Sequence, residues 1–364
     1  MKNAPKITGL AFTFDDILIV PLYSAVLPQD VDTCTKLTRN IDLKIPFISA
    51  PMDTVTESKM AIEMARLGGV GVIHRNMKKE EEALQIKKVK KAKATKNCVL
   101  GKDDRLLVGG AVGVADGEIS RVKYLVEVGC DFVVIDTSHG HSQRVGDFVK
   151  RVKDKFPDTD VIAGNVATEE GAFFLIKAGS DAVKVGIGPG SICTTRTISG
   201  AGVPQASAIM NVRLACQEKG IPMIADGGIK TSGDIVKAIG LGANSVMMGN
   251  IFAGCDESSS KLVEKEGVKY KYFRGMGSIS ALKKGSGDRY GGGAGVKMVA
   301  EGIEALTLYT GALKDVMFKL VWGLRSGMGY VGAKNIEELR EKAKFYQITG
   351  MGLRESRAHD VKEL

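Results

Sequence analysis

The 364-residue chain has no Cys-x-x-Cys pair: Cys34, Cys98, Cys130, Cys193, Cys216 and Cys255 stand far apart, and only four histidines are present to complete a metal site. Neither a zinc site nor a disulfide framework is therefore expected. No segment approaches the roughly 18 consecutive apolar residues of a membrane span, and the first residues lack the apolar core and small-residue cleavage site of a secretory signal. The expected setting is reducing and cytoplasmic, with no membrane partner. Aromatic residues make up only 6% of the chain, and the one basic cluster, at 87–96, has none interleaved, so single-stranded nucleic acid is not the expected partner. The net charge of +9 is otherwise scattered and suits a phosphorylated small molecule as well as a nucleic acid.

What is present is a repeated alternation. Eight short β-branched or apolar runs, at 46–50, 70–74, 108–114, 132–136, 161–165, 182–185, 222–226 and 245–249, are each followed by a glycine, polar or acidic turn. Amphipathic stretches lie between them, at 57–67, 120–128, 143–156, 169–178, 207–219 and 232–241. Such βα units predict a parallel sheet, and eight of them predict closure into a (β/α)8 TIM barrel, an α/β fold spanning residues 1–364 as one domain. Two stretches depart from a bare barrel. Residues 78–105 are charged and read as a helix followed by a solvated connection. Residues 255–301 are long and hold Gly285-Ser-Gly-Asp-Arg-Tyr-Gly-Gly-Gly293, which reads as a flap and active-site loop region.

In a barrel of this kind chemistry sits at the carboxyl ends of the strands. The tips read Pro51-Met-Asp53, His74-Arg-Asn76, Asp136-Thr-Ser138, Gly164-Asn165, Gly186-Ile-Gly-Pro-Gly190, Asp226-Gly-Gly228 and Gly249-Asn250. Left-handed turns and helix caps use the same residue types, so one tip alone says little, but seven together point to a site. In the run from Lys184 to Arg196, three glycines let a ligand or ion approach the main chain, Pro189 stiffens the turn and Ser191 offers a phosphate contact. A cysteine after a strand is by itself most often an inert small hydrophobe. The glycine-rich surroundings and the Thr194-Thr195-Arg196 neighbourhood turn Cys193 toward a nucleophile, because donors and positive charge favour a thiolate. Asp226 beside Gly227-Gly228 can accept the two hydrogen bonds of a ribose diol or cap a helix, and with Gly249 it suggests a phosphorylated ligand.

Gly188-Pro-Gly-Ser-Ile-Cys-Thr-Thr-Arg196, Ala225-Asp-Gly-Gly-Ile229, Arg274-Gly-Met-Gly-Ser278, Asp288-Arg-Tyr290, Glu301-Gly-Ile-Glu304 and Pro51-Met-Asp-Thr-Val-Thr-Glu57 resemble the motifs of inosine 5'-monophosphate dehydrogenases, over residues 10–361. The resemblance implies NAD-dependent oxidation of inosine 5'-monophosphate to xanthosine 5'-monophosphate, a step of guanine nucleotide synthesis, through a covalent thioimidate on Cys193 that water then hydrolyses. It implies a catalytic set of Cys193, Thr195, Arg289 and Tyr290, with Arg289 as the water-activating base on a flap that replaces the departed cofactor. A neutral arginine is scarce, so an anchoring or ion-pairing role for Arg289 stays open. Ser191, Gly228, Gly249, Asn250 and Phe273 would surround phosphate, Asp226 would hold ribose, and Met276, Gly277 and Glu301 the base. Asp136, Ser138, Asn165 and Gly186 would face NAD. A potassium ion would take the main-chain carbonyls of Gly188, Gly190 and Cys193, joined by those of Glu355, Ser356 and Arg357 from a neighbouring subunit of a homotetramer.

The chain departs from the family pattern in places. The connection at 78–105 stands where most members insert regulatory cystathionine-β-synthase-like modules. Asn250 replaces a usual serine, Phe273 a tyrosine and Arg357 a common histidine, and the flap continues with a plain Gly291-Gly-Gly-Ala-Gly295. Two other functions compete. A guanosine 5'-monophosphate reductase shares barrel and cysteine loop, but it has Ser-Ser-Glu where this chain has Gly277-Ser-Ile-Ser280, and it lacks the Asp-Arg-Tyr flap. A non-catalytic nucleotide- or nucleic-acid-binding barrel has only the basic balance in its favour.

Overall fold

The computed structural model describes residues 6–290 and 299–361. Among them the eight runs form parallel strands: β1 (Phe47–Ser49), β2 (Val70–Ile73), β3 (Val108–Val112), β4 (Phe132–Asp136), β5 (Asp160–Val166), β6 (Ala182–Val185), β7 (Met223–Asp226) and β8 (Ser245–Met248). Each pairs with the next in sequence, and β8 also pairs with β1, which closes the barrel. The strands are short, apolar and buried on both faces, as parallel strands covered by helices must be.

The outer layer comprises α1 (Ser58–Arg66), α2 (Lys79–Lys91), α3 (Glu118–Glu127), α4 (Gln143–Lys155), α5 (Glu169–Ala178), α6 (Gln205–Lys219), α7 (Ser232–Gly240) and α8 (Leu313–Val331). The residue types at the ends explain the boundaries. Thr168 caps α5 by accepting from the Gly171 N–H, and Gly179, at φ 108°, turns the chain out of it. The eighth helix lies far along the chain from β8 yet packs between α7 and α1, completing the ring.

The barrel interior is filled by Ile48, Val72, Ala111, Phe132, Val134, Ile162, Ile224 and Met247. Gly109 has no side chain because a Cβ there would stand 2.3 Å from the Phe132 ring. Below, at the strands' amino ends, a hairpin of Thr35–Lys36 and Asp42–Leu43 inserts Leu37, Ile41 and Leu43 into the same core. Its turn is pinned by Thr38 and Asn40 donating to Asp160 and by Arg39 paired with Asp181 at 2.6 Å. The lower end is therefore stoppered, and the upper end is left to carry a site.

The helix and connection expected at 78–105 are present as α2 and a run without long regular elements up to β3. Glu82 of α2 is fully buried against Gly110, with one oxygen accepting from Arg121 at 2.7 Å and the other without a hydrogen-bond partner among the described residues, and burial pushes its carboxyl up to about 8. The reading of 255–301 as loop needs correction. Leu262–Lys265 (β9) and Val268–Arg274 (β10) form a hairpin, which pairs with β11 (Glu304–Leu308) in an antiparallel sheet beside the barrel mouth. The physical reason is ordinary: Val268-Lys-Tyr-Lys-Tyr-Phe alternates in β-formers, and Glu266-Gly267 adopts two left-handed residues, as a tight hairpin turn requires. Short strands at Ile17–Ile19 and Phe345–Gln347 also pair, tying the two ends of the chain together. Among the described residues no helix is long and apolar enough to cross a membrane.

Candidate active site

The strand tips surround a cavity of about 330 Å³, a size that accepts a small-molecule ligand. Its wall includes the 50–52 tip, Asp136, Asn165, Gly186, the 188–193 loop, Asp226–Lys230, Met247–Asn250, Phe273, Met276, Arg289 and Glu301. Most residues expected from sequence thus meet in one place, although they lie as far apart in the chain as Asp136 and Glu301.

Cys193 sits on the loop after β6, just before the short helix Thr195–Ser199. Its thiol donates to Thr195 Oγ1 at 3.2 Å, and the Thr195 hydroxyl donates to Glu301 Oε2 at 2.8 Å. Thr194 N–H donates to the Glu301 carbonyl and Ile303 N–H to the Ile192 carbonyl, each at 3.0 Å, so the loop is stitched to the segment carrying Glu301. Arg196 braces it from behind by donating to the carbonyls of Ile187 and Val203. Burial lowers the Arg196 pKa, and its electrostatic coupling to Cys193 opposes that fall. The structure separates Cys193 from other cysteines: burial pushes the Cys216 thiol up to about 12 and the Cys255 thiol to about 11, while Cys193 opens on the cavity.

The floor is polar and buried. Lys184, in the middle of β6, places its ammonium 3.0 Å from Asp136 Oδ1 and 2.5 Å from Asp226 Oδ2, and also donates to Asn165 Oδ1. Asn165 donates in turn to Asp226 Oδ2 at 2.9 Å and to the Gly186 carbonyl at 2.8 Å. Asn165 therefore builds the floor as well as lining the cavity. Gly186, at φ 148°, passes so close to β7 that a Cβ would lie 2.2 Å from the Asp226 carbonyl oxygen. Lys184 was missed as a site residue. The available signal was a charge inside an otherwise apolar four-residue strand.

Arg289, in the short 3-10 turn Ser286–Tyr290, pairs with Asp136 Oδ2, and its carbonyl accepts from the Ser138 hydroxyl at 2.9 Å and N–H at 3.2 Å. Two of the residues expected to face NAD, Asp136 and Ser138, are thus in contact with the Arg289 segment, while Asn165 and Gly186 line the cavity. The Tyr290 side chain and the glycine run at 291–295 lie outside the described residues.

Gly227 and Gly228, both in the left-handed region, follow Asp226 against Pro189, and the cavity wall also includes Ser191, Gly249, Asn250 and Phe273. Phe273 is buried at its edge. Met276 follows Arg274, which makes two hydrogen bonds to the buried Asp53 carboxylate, while Asn76 donates to that carboxylate at 2.8 Å. Burial disfavours charge on Asp53, but the Arg274 and Asn76 hydrogen bonds outweigh it and hold the carboxyl below its usual range. Gly277 does not line the cavity; its carbonyl instead accepts from Glu301 N–H at 3.0 Å, fixing that residue's place.

Gly188, Gly190 and Cys193 offer main-chain carbonyls on one loop, hard oxygen donors of the kind a monovalent cation takes. The Gly190 oxygen also accepts from Cys193 N–H at 3.1 Å. Glu355, Ser356 and Arg357 are exposed at the end of the helix Gly350–Glu355, and among the described residues the hydrogen bonds of Ser356 and Arg357 stay within residues 352–359.

The chain matches the IMP dehydrogenase / GMP reductase domain over residues 11–359. It is 49% identical over 390 positions to inosine-5'-monophosphate dehydrogenase of Cryptosporidium parvum, covering 98% of this chain and 97% of that protein. The enzyme of the same name from Borreliella burgdorferi is 46% identical over 397 positions, with 98% of each chain covered. That from Aquifex aeolicus is 42% identical over 479 positions, covering 100% of this chain and 98% of the relative. The barrel, the cysteine loop and these near-complete alignments agree, and the chain belongs to the IMP dehydrogenase / GMP reductase family.

Proposed function

We propose that the protein oxidises inosine 5'-monophosphate to xanthosine 5'-monophosphate with NAD as hydride acceptor. The observation that carries this reading is the chain Cys193–Thr195–Glu301, opening on the cavity that also presents Asp226 and Asp136. Asp226 holds the ribose, Gly228, Ser191, Gly249 and Asn250 surround the phosphate beside Phe273, and Met276 and Glu301 meet the base, with Gly277 acting through its hold on Glu301. The Cys193 thiol passes its proton along Thr195 toward Glu301, and its sulfur adds to carbon 2 of the purine. Departure of hydride from that carbon leaves a thioimidate. Water then adds, and the carbon–sulfur bond breaks to release product and thiol.

Asp136 and Ser138 meet the dinucleotide in the first half of the cycle and Arg289 in the second, with Arg289 as the base toward water and Tyr290 beside it. Potassium held by carbonyls of Gly188, Gly190 and Cys193, with those of Glu355, Ser356 and Arg357 from a neighbour in a homotetramer, would brace the cysteine loop. The chain acts in the cytoplasm as a single catalytic domain, with residues 78–105 in place of regulatory modules. The reductase alternative is disfavoured by Gly277-Ser-Ile-Ser280 and by the presence of Asp288-Arg-Tyr290.

Absorbance of reduced cofactor is expected to rise with inosine monophosphate plus NAD and to stay constant with guanosine monophosphate plus NADPH. Protein quenched during turnover should carry a nucleotide adduct on the Cys193 peptide, and Cys193→Ala should bind the nucleotide without turnover. An adduct on another cysteine, or activity in the alanine variant, would sink the reading.

A further inference from the structure

We propose that Lys184 is a positioning residue: one buried ammonium, shared by Asp226 and Asp136, holds the ribose-side and cofactor-side carboxylates in one frame, so that the two substrate sites are built together. The inference rests on the reaction proposed above. Lys184 is 1% exposed, in a strand whose other residues are apolar, and an ammonium is kept there only if its neighbours compensate the loss of water. Its three N–H donors have three partners: Asp226 on β7, Asn165 on β5 and, beyond it, Asp136 on β4. Four consecutive strands are thereby joined at their tips through one nitrogen. Asn165 completes the frame by donating to the same Asp226 oxygen that Lys184 contacts. Each carboxylate keeps a face toward the cavity: Asp226 is 19% exposed, and the second oxygen of Asp136 meets Arg289.

Removal of the ammonium takes away the one cation the two carboxylates share and leaves only Arg289 on Asp136 and the neutral Asn165 amide on Asp226, and removal of one carboxylate as well relieves the repulsion between them. The test is made by calorimetry in protein that also carries Cys193→Ala. Lys184→Met should weaken both inosine monophosphate and NAD by about tenfold or more, because the partners of a buried pair are left uncompensated. Asp226→Asn should weaken chiefly the nucleotide, and Asp136→Asn chiefly the dinucleotide. Combining Lys184→Met with Asp136→Asn should return nucleotide affinity to within about threefold of Asp136→Asn while NAD stays weak, a recovery that loss of fold does not produce. Loss of one ligand only in Lys184→Met, or no recovery in the combined variant, overturns the proposal. If Lys184→Met does not fold, the combined variant alone decides: nucleotide bound supports the shared frame, and nucleotide lost overturns it. Turnover of wild-type protein with inosine monophosphate and NAD is measured alongside, and its absence rejects the reaction rather than the frame.

Discussion

Phe273 tests where phosphate sits. A tyrosine hydroxyl donating to a phosphate dianion is worth about 1.5–3 kcal/mol when well formed, and Phe273 cannot make that bond. The phosphate is remote from the reacting carbon, so Phe273→Tyr should lower the Michaelis constant for inosine monophosphate by about tenfold with little change in kcat. A change confined to NAD would show that Phe273 does not face phosphate. Glu82 allows a prediction about stability. Its folded carboxyl holds a proton up to about pH 8, whereas the unfolded chain releases it near the ordinary value of about 4.3, so the folded state binds more protons in between and stability falls as pH rises through that window. Glu82→Gln cannot ionise, and its melting temperature relative to wild type should rise by about 2 °C or more between pH 6 and pH 9. A constant difference across that range would mean that Glu82 is charged throughout. Among single residues, the strand-tip residues that line the cavity were legible from sequence, because a barrel opens its cavity at that end. Lys184 was not, since its value lies in Asp136, Asn165 and Asp226, three partners brought to it by other strands.

The strands were the most legible elements: the runs at 132–136 and 182–185 coincide with β4 and β6, because apolar residues stop where the polar tip begins. The run at 108–114 extends two residues past β3, since Gly113 and Val114 continue the composition after the pairing ends. The hairpin of β9 and β10 was hidden by the glycine-rich stretch that follows it, whose composition coloured the whole of 255–301. That stretch includes the turn carrying Arg289, which on the proposed mechanism acts after hydride transfer. Arg289→Ala should keep the pre-steady-state burst of NADH while the steady rate falls on the order of a hundredfold, the usual contribution of a positioned base. Rapid-mixing absorbance measures both. Loss of the burst with the steady rate intact would place Arg289 in the first half of the cycle instead.

At the scale of the whole molecule, the proposed cation would join the cysteine loop of one subunit to the 355–357 segment of the next. Exchange of potassium for lithium should lower kcat by about tenfold, because a ring of main-chain carbonyls shaped for a large ion does not close on a small one. Removal of the chain from Glu355 onward should abolish that cation dependence along with most activity, which steady-state assays in the two salts would reveal; equal rates in both salts with intact protein would count against a shared site. The hairpin carrying Leu37, Ile41 and Leu43 acts on the same scale from below. It fills the barrel's lower end, and among the described residues the doorway of the cavity lies at the strands' upper ends. For the proposed reaction, the outgoing reduced dinucleotide and the Arg289 turn cannot occupy that doorway together, since both require Asp136. On that reading the two chemistries take turns at one carboxylate, above a core that the hairpin seals from below.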